Sequence, residues 1–375
     1  MNLEEVEGIF RKHLLLPDTM VIRVVLATIF ANKLNGDPLW LFLIAPPSSA
    51  KTEIISALNG LPDIFPLSSL TSHTLASGMV NKDDGERSLI HQLTNKIVTL
   101  KDFTSILTMH REQRAEILSQ LREIYDGKYV KHFGTGEKTD WTGKIGIIAG
   151  VTPVIDTYHS VSQLLGERFI QLRMELPDDV KVAHKAMSNS GKEKKIRYEL
   201  SNAMRQFTNK VTIPSKIIFV PAQIEHRIAY LSSFCVTARS GSIRDGRSRD
   251  LLYTPPHEAP PRLAKQFVML ARGLAVINGR RIVEEKDYNI VYKVGLDTVS
   301  KLRRDIIYIL NREGAMSSTE LSRKTRYPHS TIYKQLEELA SLELVDFDGK
   351  EKWSLGLKTT KYLVEIQPFP EVSVG

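Results

Sequence analysis

The 375-residue chain contains one cysteine, Cys235. A lone thiol allows neither an internal disulfide nor a cysteine-based zinc site, and it suits a reducing compartment. Long apolar runs are missing too: the longest, Leu39 to Ala45, falls far short of the ~20 residues that span a bilayer. The opening Met1-Asn2-Leu3-Glu4-Glu5 is acidic where a secretory signal is basic. We therefore expect a cytoplasmic protein with no membrane partner. Internal repeats, low-complexity tracts and heptad series are absent as well, which argues against solenoids and coiled coils. What is present is a globular composition, 42% hydrophobic and 25% charged, with basic residues in excess. The net charge of +8 points to a polyanion as partner without saying which one. At ~150 residues per domain, the length predicts two or three domains.

Two helices are predicted first, Leu3 to Leu14 and Thr19 to Leu34. In the second, Ile22, Val25, Leu26, Ile29 and Phe30 form one buried stripe, as in a lid or packing element. Leu39-Trp40-Leu41-Phe42-Leu43-Ile44 reads as a strand apolar on both faces. Further apolar runs at Lys96 to Leu100 and Lys144 to Ala149, separated by a helical stretch from Glu112 to Tyr125, predict an α/β core. The lysine-rich stretch Lys181 to Arg197 reads as an exposed connection. Ser240 to Pro261, rich in arginine and glycine, reads as a mobile loop ahead of helices at Pro261 to Asn278 and Glu284 to Asn311.

Directly after the first strand comes Ala45-Pro46-Pro47-Ser48-Ser49-Ala50-Lys51-Thr52, followed by the helical pattern Ile54, Ile55, Leu58. A phosphate-binding loop needs a strand, a tight turn exposing backbone N–H groups, a lysine for the β and γ phosphates, and a hydroxyl for magnesium. Pro47, Ser48, Ser49 and Ala50 supply the turn, with Lys51 and Thr52 as cation and hydroxyl. Both pattern glycines are replaced, by Ala45 and Ala50, and Pro-Pro-Ser-Ser is also the composition of an ordinary turn.

The form Pro-Ser-x-Ala-Lys-Ser/Thr resembles the P-loop of minichromosome maintenance (MCM) helicases, a branch of the AAA+ ATPases. Further motifs follow in the family's order. Ile97 to Phe103 ends in Lys101-Asp102-Phe103 where the family has Asp-Glu-Phe. Ile147-Ile148-Ala149-Gly150-Val151-Thr152-Pro153 stands for the sensor 1 strand, and Leu164-Leu165-Gly166-Glu167-Arg168-Phe169 for the arginine finger. Pro260-Pro261-Arg262-Leu263 stands for sensor 2. The resemblance covers roughly residues 20 to 300 and is nearest to the compact MCM-like ATPases of phages and mobile elements.

That resemblance implies an AAA+ P-loop NTPase core, a helical lid, and ATP with Mg2+ as cofactors. Lys51 would bind phosphates, and Thr52 and Asp102 would hold the metal. As the one acid at its strand end, Asp102 would ligate magnesium, act on water, or do both. Thr152 would bond the γ phosphate or the attacking water. Arg262 and Arg168 would neutralise developing charge, Arg168 from a neighbouring subunit, which implies a homo-oligomeric and in this family hexameric ring. Lys101 departs from the pattern: a cation beside a magnesium ligand either turns away or weakens hydrolysis.

Two alternating runs around Gly134-Thr135-Gly136 predict a β-hairpin. In MCM-like rings a hairpin at this place grips DNA in the pore; Lys128, Lys131 and Lys138 would meet phosphates, and Tyr129, Phe133 or Trp141 would stack on bases. Towards the C-terminus, helices ending at Arg312, capped by Ser317 to Glu320, and following Pro328, then a hairpin turning at Asp348-Gly349, predict a winged helix-turn-helix. Its DNA-facing candidates are His329, Ser330, Thr331, Tyr333 and Lys334, with Lys324 and Arg326 in support.

The expected organisation is N-terminal helices at 1–35, the ATPase core at 36–180, linker and lid at 181–300, the winged helix at 301–360, and a tail at 361–375. The expected function is an ATP-dependent, ring-forming DNA helicase or translocase acting in the DNA replication of a mobile element, with other replication proteins as further partners. The alternatives are an AAA+ loader that does not unwind, and a nucleotide-responsive DNA-binding regulator.

Overall fold

The structure, a computed structural model, describes residues 1–76, 88–134, 136, 138–158, 168–175, 178–245, 250–256 and 258–367. The chain divides into two compact units, Met1–Val220 with Met269–Asp287, and Pro221–Val268 with Tyr288–Gly375.

The first unit is built on five parallel strands, β1 (Trp40–Ile44), β2 (Ile64–Leu67), β3 (Ile97–Leu100), β6 (Gly146–Val151) and β7 (Phe169–Arg173), in the order β2-β3-β6-β1-β7. β1, β3 and β6 are buried along their whole length, which is why their sequences are apolar without alternation. Aromatics knit the core: Phe42 stacks on Phe169 with ring centroids 3.7 Å apart, and the Trp40 indole donates to the Ile145 carbonyl at 2.7 Å. β4 (Lys128–His132) and β5 (Lys138–Thr142) form the expected hairpin, entered from α6 (Arg111–Tyr125).

Helices cover the sheet. α1 (Leu3–His13) is closed by a capping box of Asn2 and Glu5, and α2 (Met20–Lys33) is buried over most of its surface. The short helices α3 (Lys51–Ser56), α4 (Leu89–Gln92) and α5 (Thr104–Leu107) lie in connections. The expected exposed connection after Lys181 is instead two helices, α7 (Asp179–Asn189) and α8 (Glu193–Lys210). α7 carries apolar residues at helical spacing, Val180, Ala183 and Met187, but buries none of them, whereas α8 buries Ile196, Leu200, Met204 and Phe207 and packs on α1.

In the second unit α9 (Ala222–Arg239) leads to a hairpin of β8 (Ile243–Arg244) and β9 (Leu251–Tyr253), where a loop was expected. Arg247 and Arg249 lie outside the described residues. α10 (Pro261–Ile277) passes from the second unit into the first at Met269, and α11 (Glu285–Asp297) returns to the second at Tyr288. The single helix expected from Glu284 to Asn311 breaks at Thr298–Ser300, where Thr298 Oγ1 donates to the Gly295 carbonyl and Ser300 takes an extended ψ of 143°. α12 (Lys301–Glu313), β10 (Met316–Ser317), α13 (Ser318–Thr325), α14 (His329–Ser341), β11 (Val345–Phe347) and β12 (Lys352–Leu355) form a winged helix with sheet order β10-β12-β11. α15 (Leu357–Ile366), which packs on α9, runs across the boundary expected at 360 between winged helix and tail. Among the described residues, no helix is long and apolar enough to cross a membrane.

Candidate functional site

Because the sheet is parallel, all the turns that follow its strands leave from one edge. The connection from β1 runs towards β2, and that from β6 crosses to β7, so they depart in opposite directions. Open α/β sheets bind ligands at such a reversal, outside the carboxyl ends of the strands. The residues singled out in the sequence meet there. Ala45 N–H donates to the Val151 carbonyl at 3.2 Å, and Phe103 N–H to the Gly150 carbonyl at 2.7 Å, tying the turns after β1, β3 and β6 together.

Pro46 to Ala50 form the turn. Ser48 stands at φ 59°, the left-handed conformation that glycine more often supplies. Lys51, only 6% exposed, lies against the loop's own carbonyls, its Nζ donating to Ala45 O at 2.7 Å. Burial lowers the pKa of this ammonium, and the Asp102 carboxylate opposes that shift. Asp102 is exposed and accepts from Thr104 N–H at 2.8 Å; Thr104 Oγ1 in turn accepts from Thr152 N–H at 3.0 Å. Thr104 was not a sequence candidate, although Asp-x-Thr is the pattern of an Asx turn.

Gly150 is a second residue the motif reading did not single out. A Cβ there would lie 2.6 Å from the Lys101 carbonyl oxygen and 3.3 Å from Lys51 Cδ, so only glycine lets the β3 turn close on the lysine. The Lys101 side chain is exposed and thus turns outward, the first of the two options its position allowed.

Thr52 is exposed on α3, whose six residues add little dipole. Ser49 Oγ is buried with no hydrogen-bond partner among the described residues. A cavity of about 390 Å3 opens beside the loop, lined by Leu14, Leu16, Ser48, Met174, Val182 and Lys185 among others. A cation, an orphan hydroxyl, an exposed carboxylate and an adjoining apolar hollow suit a phosphate-bearing ligand with an attached ring, and the Thr52 hydroxyl and Asp102 carboxylate are oxygen donors of the kind magnesium takes.

Arg168 is disposed otherwise than expected. It precedes β7 level with the start of β1, at the sheet edge opposite the loop, and is 5% exposed. Its guanidinium holds Asp126 at 2.9 Å and lies over the Tyr125 ring. This is an internal pair, not a finger offered to a neighbour; Leu164 and Leu165 of its motif lie outside the described residues. Arg262 lies in the second unit, paired with Glu258 at 2.6 Å.

On the hairpin, Tyr129 and Trp141 are buried in the core and so cannot stack on bases; burial pushes the Tyr129 hydroxyl up to about 12. Phe133 packs partly on the same core. Lys131 is half-buried, donating to Ser72 O at 3.2 Å, and Lys138 pairs with Asp140 at 2.6 Å. Lys128 is exposed. The motif is a hairpin with its aromatics inward.

The winged helix sorts its candidates by face. Ile332, Leu336 and Leu339 turn inward, while His329, Ser330 and Tyr333 are exposed at the start of α14. Thr331 and Lys334 are half-buried, and the Lys334 carbonyl accepts from Arg244 at 2.7 Å. Arg326 is exposed at φ 60°, and Lys324 pairs with Glu313 at 2.7 Å. Behind the helix, Glu338 joins Arg303 (2.7 Å) and Arg244 (2.8 Å), fixing α14 against α12 and β8.

A family profile described as "Bacterial regulatory protein, arsR family" matches residues 300–346. The match covers α12 to β11, so the C-terminal segment is a DNA-binding winged helix-turn-helix domain of the kind found in that family. A comparison with curated proteins finds no match to the chain.

Proposed function

We propose that the chain is an MCM-like AAA+ ATPase that acts on DNA as a ring-forming helicase or translocase, with the winged helix holding duplex. The observation that carries this reading is the meeting of Lys51, Asp102 and Thr152, from three separate motifs, around one tight turn at the reversal point of the sheet. In this reading Lys51 leaves its carbonyls for the β and γ phosphates, which restores the charge that burial disfavours. Asp102 orients water and Thr152 fixes the γ phosphate, so catalysis is positioning and electrostatics. A magnesium ion held by Thr52 and Asp102 would offset phosphate charge. The intersubunit cation of a ring is then another group, or Arg168 after release from Asp126.

A nucleotide-responsive DNA-binding regulator is the second reading. It is favoured by the burial of Arg168 and by the regulatory family that residues 300–346 match. Turnover separates the two. ATP hydrolysis stimulated by DNA, lost in Asp102→Asn with nucleotide binding retained, supports the enzyme; tight binding without turnover supports the regulator. Strand separation on a forked duplex then distinguishes a helicase from a loader.

A further inference from the structure

Much of the chain's excess charge is concentrated in one place. Residues 181–198 carry six lysines and arginines against one acid, in a chain whose net charge is +8. At the start of α7 the exposed Asp178 and Asp179 stand beside Lys181, whereas on α8 the acids are drawn into local bonds. The Glu193 carboxylate folds back onto the Gly191 N–H at 3.1 Å, and Glu199, on the side facing α1, is held by His13 at 2.7 Å and Lys12 at 3.2 Å. Arg197 is engaged with Glu53 at 2.9 Å. Lys181, Lys194 and Lys195 are exposed, and their side chains hold no partner among the described residues. About one turn along α8 from Lys194 and Lys195, Tyr198 is 65% exposed, far more than a core aromatic. Along α8, Lys194, Tyr198 and Arg205 share the face opposite Ile196, Leu200 and Phe207, a stripe about 17 Å long at 1.5 Å per residue.

Exposed ammonium groups beside an exposed ring combine phosphate-binding charge with a stacking platform, the chemistry that holds single strands without reading their sequence. We propose that this face of α8 is a contact surface for single-stranded DNA, with Lys194 and Lys195 on phosphates and Tyr198 stacked on a base. The proposal stands apart from the ATPase reading, since none of these three side chains belongs to the phosphate loop.

The test uses the full chain and a fluorescently labelled oligo-dT, with anisotropy measured at several salt concentrations. Lys194→Ala/Lys195→Ala should lower the slope of log K against log salt by about 1.4, from ~0.7 per phosphate contact. Tyr198→Ala should weaken binding roughly five- to hundredfold and leave the slope unchanged. All three side chains are exposed, so thermal melts should match the parent. Unchanged oligo-dT binding in both variants overturns the proposal. So does a loss shared equally with blunt duplex and insensitive to Tyr198, which would assign the face to duplex backbone. If instead the double lysine variant loses binding only to phosphatidylserine vesicles, the face meets membranes and the proposal fails.

Discussion

Gly150→Ala probes the site through its packing alone, without touching a charged group. The new Cβ would stand 2.6 Å from the Lys101 carbonyl oxygen, 3.2 Å from Ile55 Cδ1 and 3.3 Å from Lys51 Cδ. Ordinary C···O contacts run to about 3.3–3.6 Å, so the overlap is at least ~0.7 Å. The strand cannot retreat, because Gly150 O is bonded to Phe103 N–H at 2.7 Å and β6 is locked between β3 and β1. Relief must come from the Lys101–Asp102 turn or the Lys51 stem. Overpacking of this kind costs about 1–3 kcal/mol, or roughly five- to 150-fold in the folding equilibrium. The urea midpoint should therefore fall, and affinity for a fluorescent ATP analogue should fall even where the variant is fully folded. A variant with parental midpoint and affinity would refute the packing of Lys101 and Lys51 against this glycine.

Arg168→Ala should destabilise the first unit by about 1–3 kcal/mol, because a buried guanidinium and its bond to Asp126 are lost; chemical denaturation checks this. Mixing it with Lys51→Ala should restore no turnover, and recovery in mixed assemblies would return Arg168 to the role of a finger. In the winged helix, burial pushes the Glu338 carboxyl up, but bonds from Arg244 and the charge of Arg303 outweigh it, so its pKa is held below the ordinary 4.5. A depressed folded pKa gives stability above about pH 4.5 that is lost as pH falls through the folded value. Glu338→Gln should thus cost about 1.5–3 kcal/mol at neutral pH, because Arg303 loses this carboxylate while keeping its bonds to Gln335, Ala238 and Ser240, with the difference from the parent shrinking on acidification. Equal midpoints at pH 7 would contradict the network.

Much of this architecture is legible in the residues, and where it is not, the cause can be named. β1 reads as a strand because five apolar residues precede a turn, and the Ser317–Glu320 cap of α13 was legible as Ser-x-x-Glu and forms as a capping box. α7 was missed because its lysines and the Ser188-Asn189-Ser190-Gly191 run read as a connection, masking a short stripe of Val180, Ala183 and Met187 that the fold leaves exposed. The break at Thr298–Ser300 was hidden because apolar spacing continues across it, and only the Ser300 cap marks the new start. The phosphate loop was legible by residue type and order, but the enclosing contacts of Thr104 and Gly150 depend on pairing between distant strands. Arg168 was assigned by motif position, which does not reveal that Asp126, 42 residues earlier, holds it.

Nucleotide binding by the parent and by Lys51→Ala, followed by calorimetry with ATP and magnesium, tests the central claim most directly. Lys51 is the cation placed within the turn, and the loss of one charge-assisted phosphate contact costs about 1.5–3 kcal/mol or more. The account predicts magnesium-dependent binding by the parent and at least a tenfold loss in a folded variant. Parental affinity in Lys51→Ala, or no binding by the parent, would contradict it.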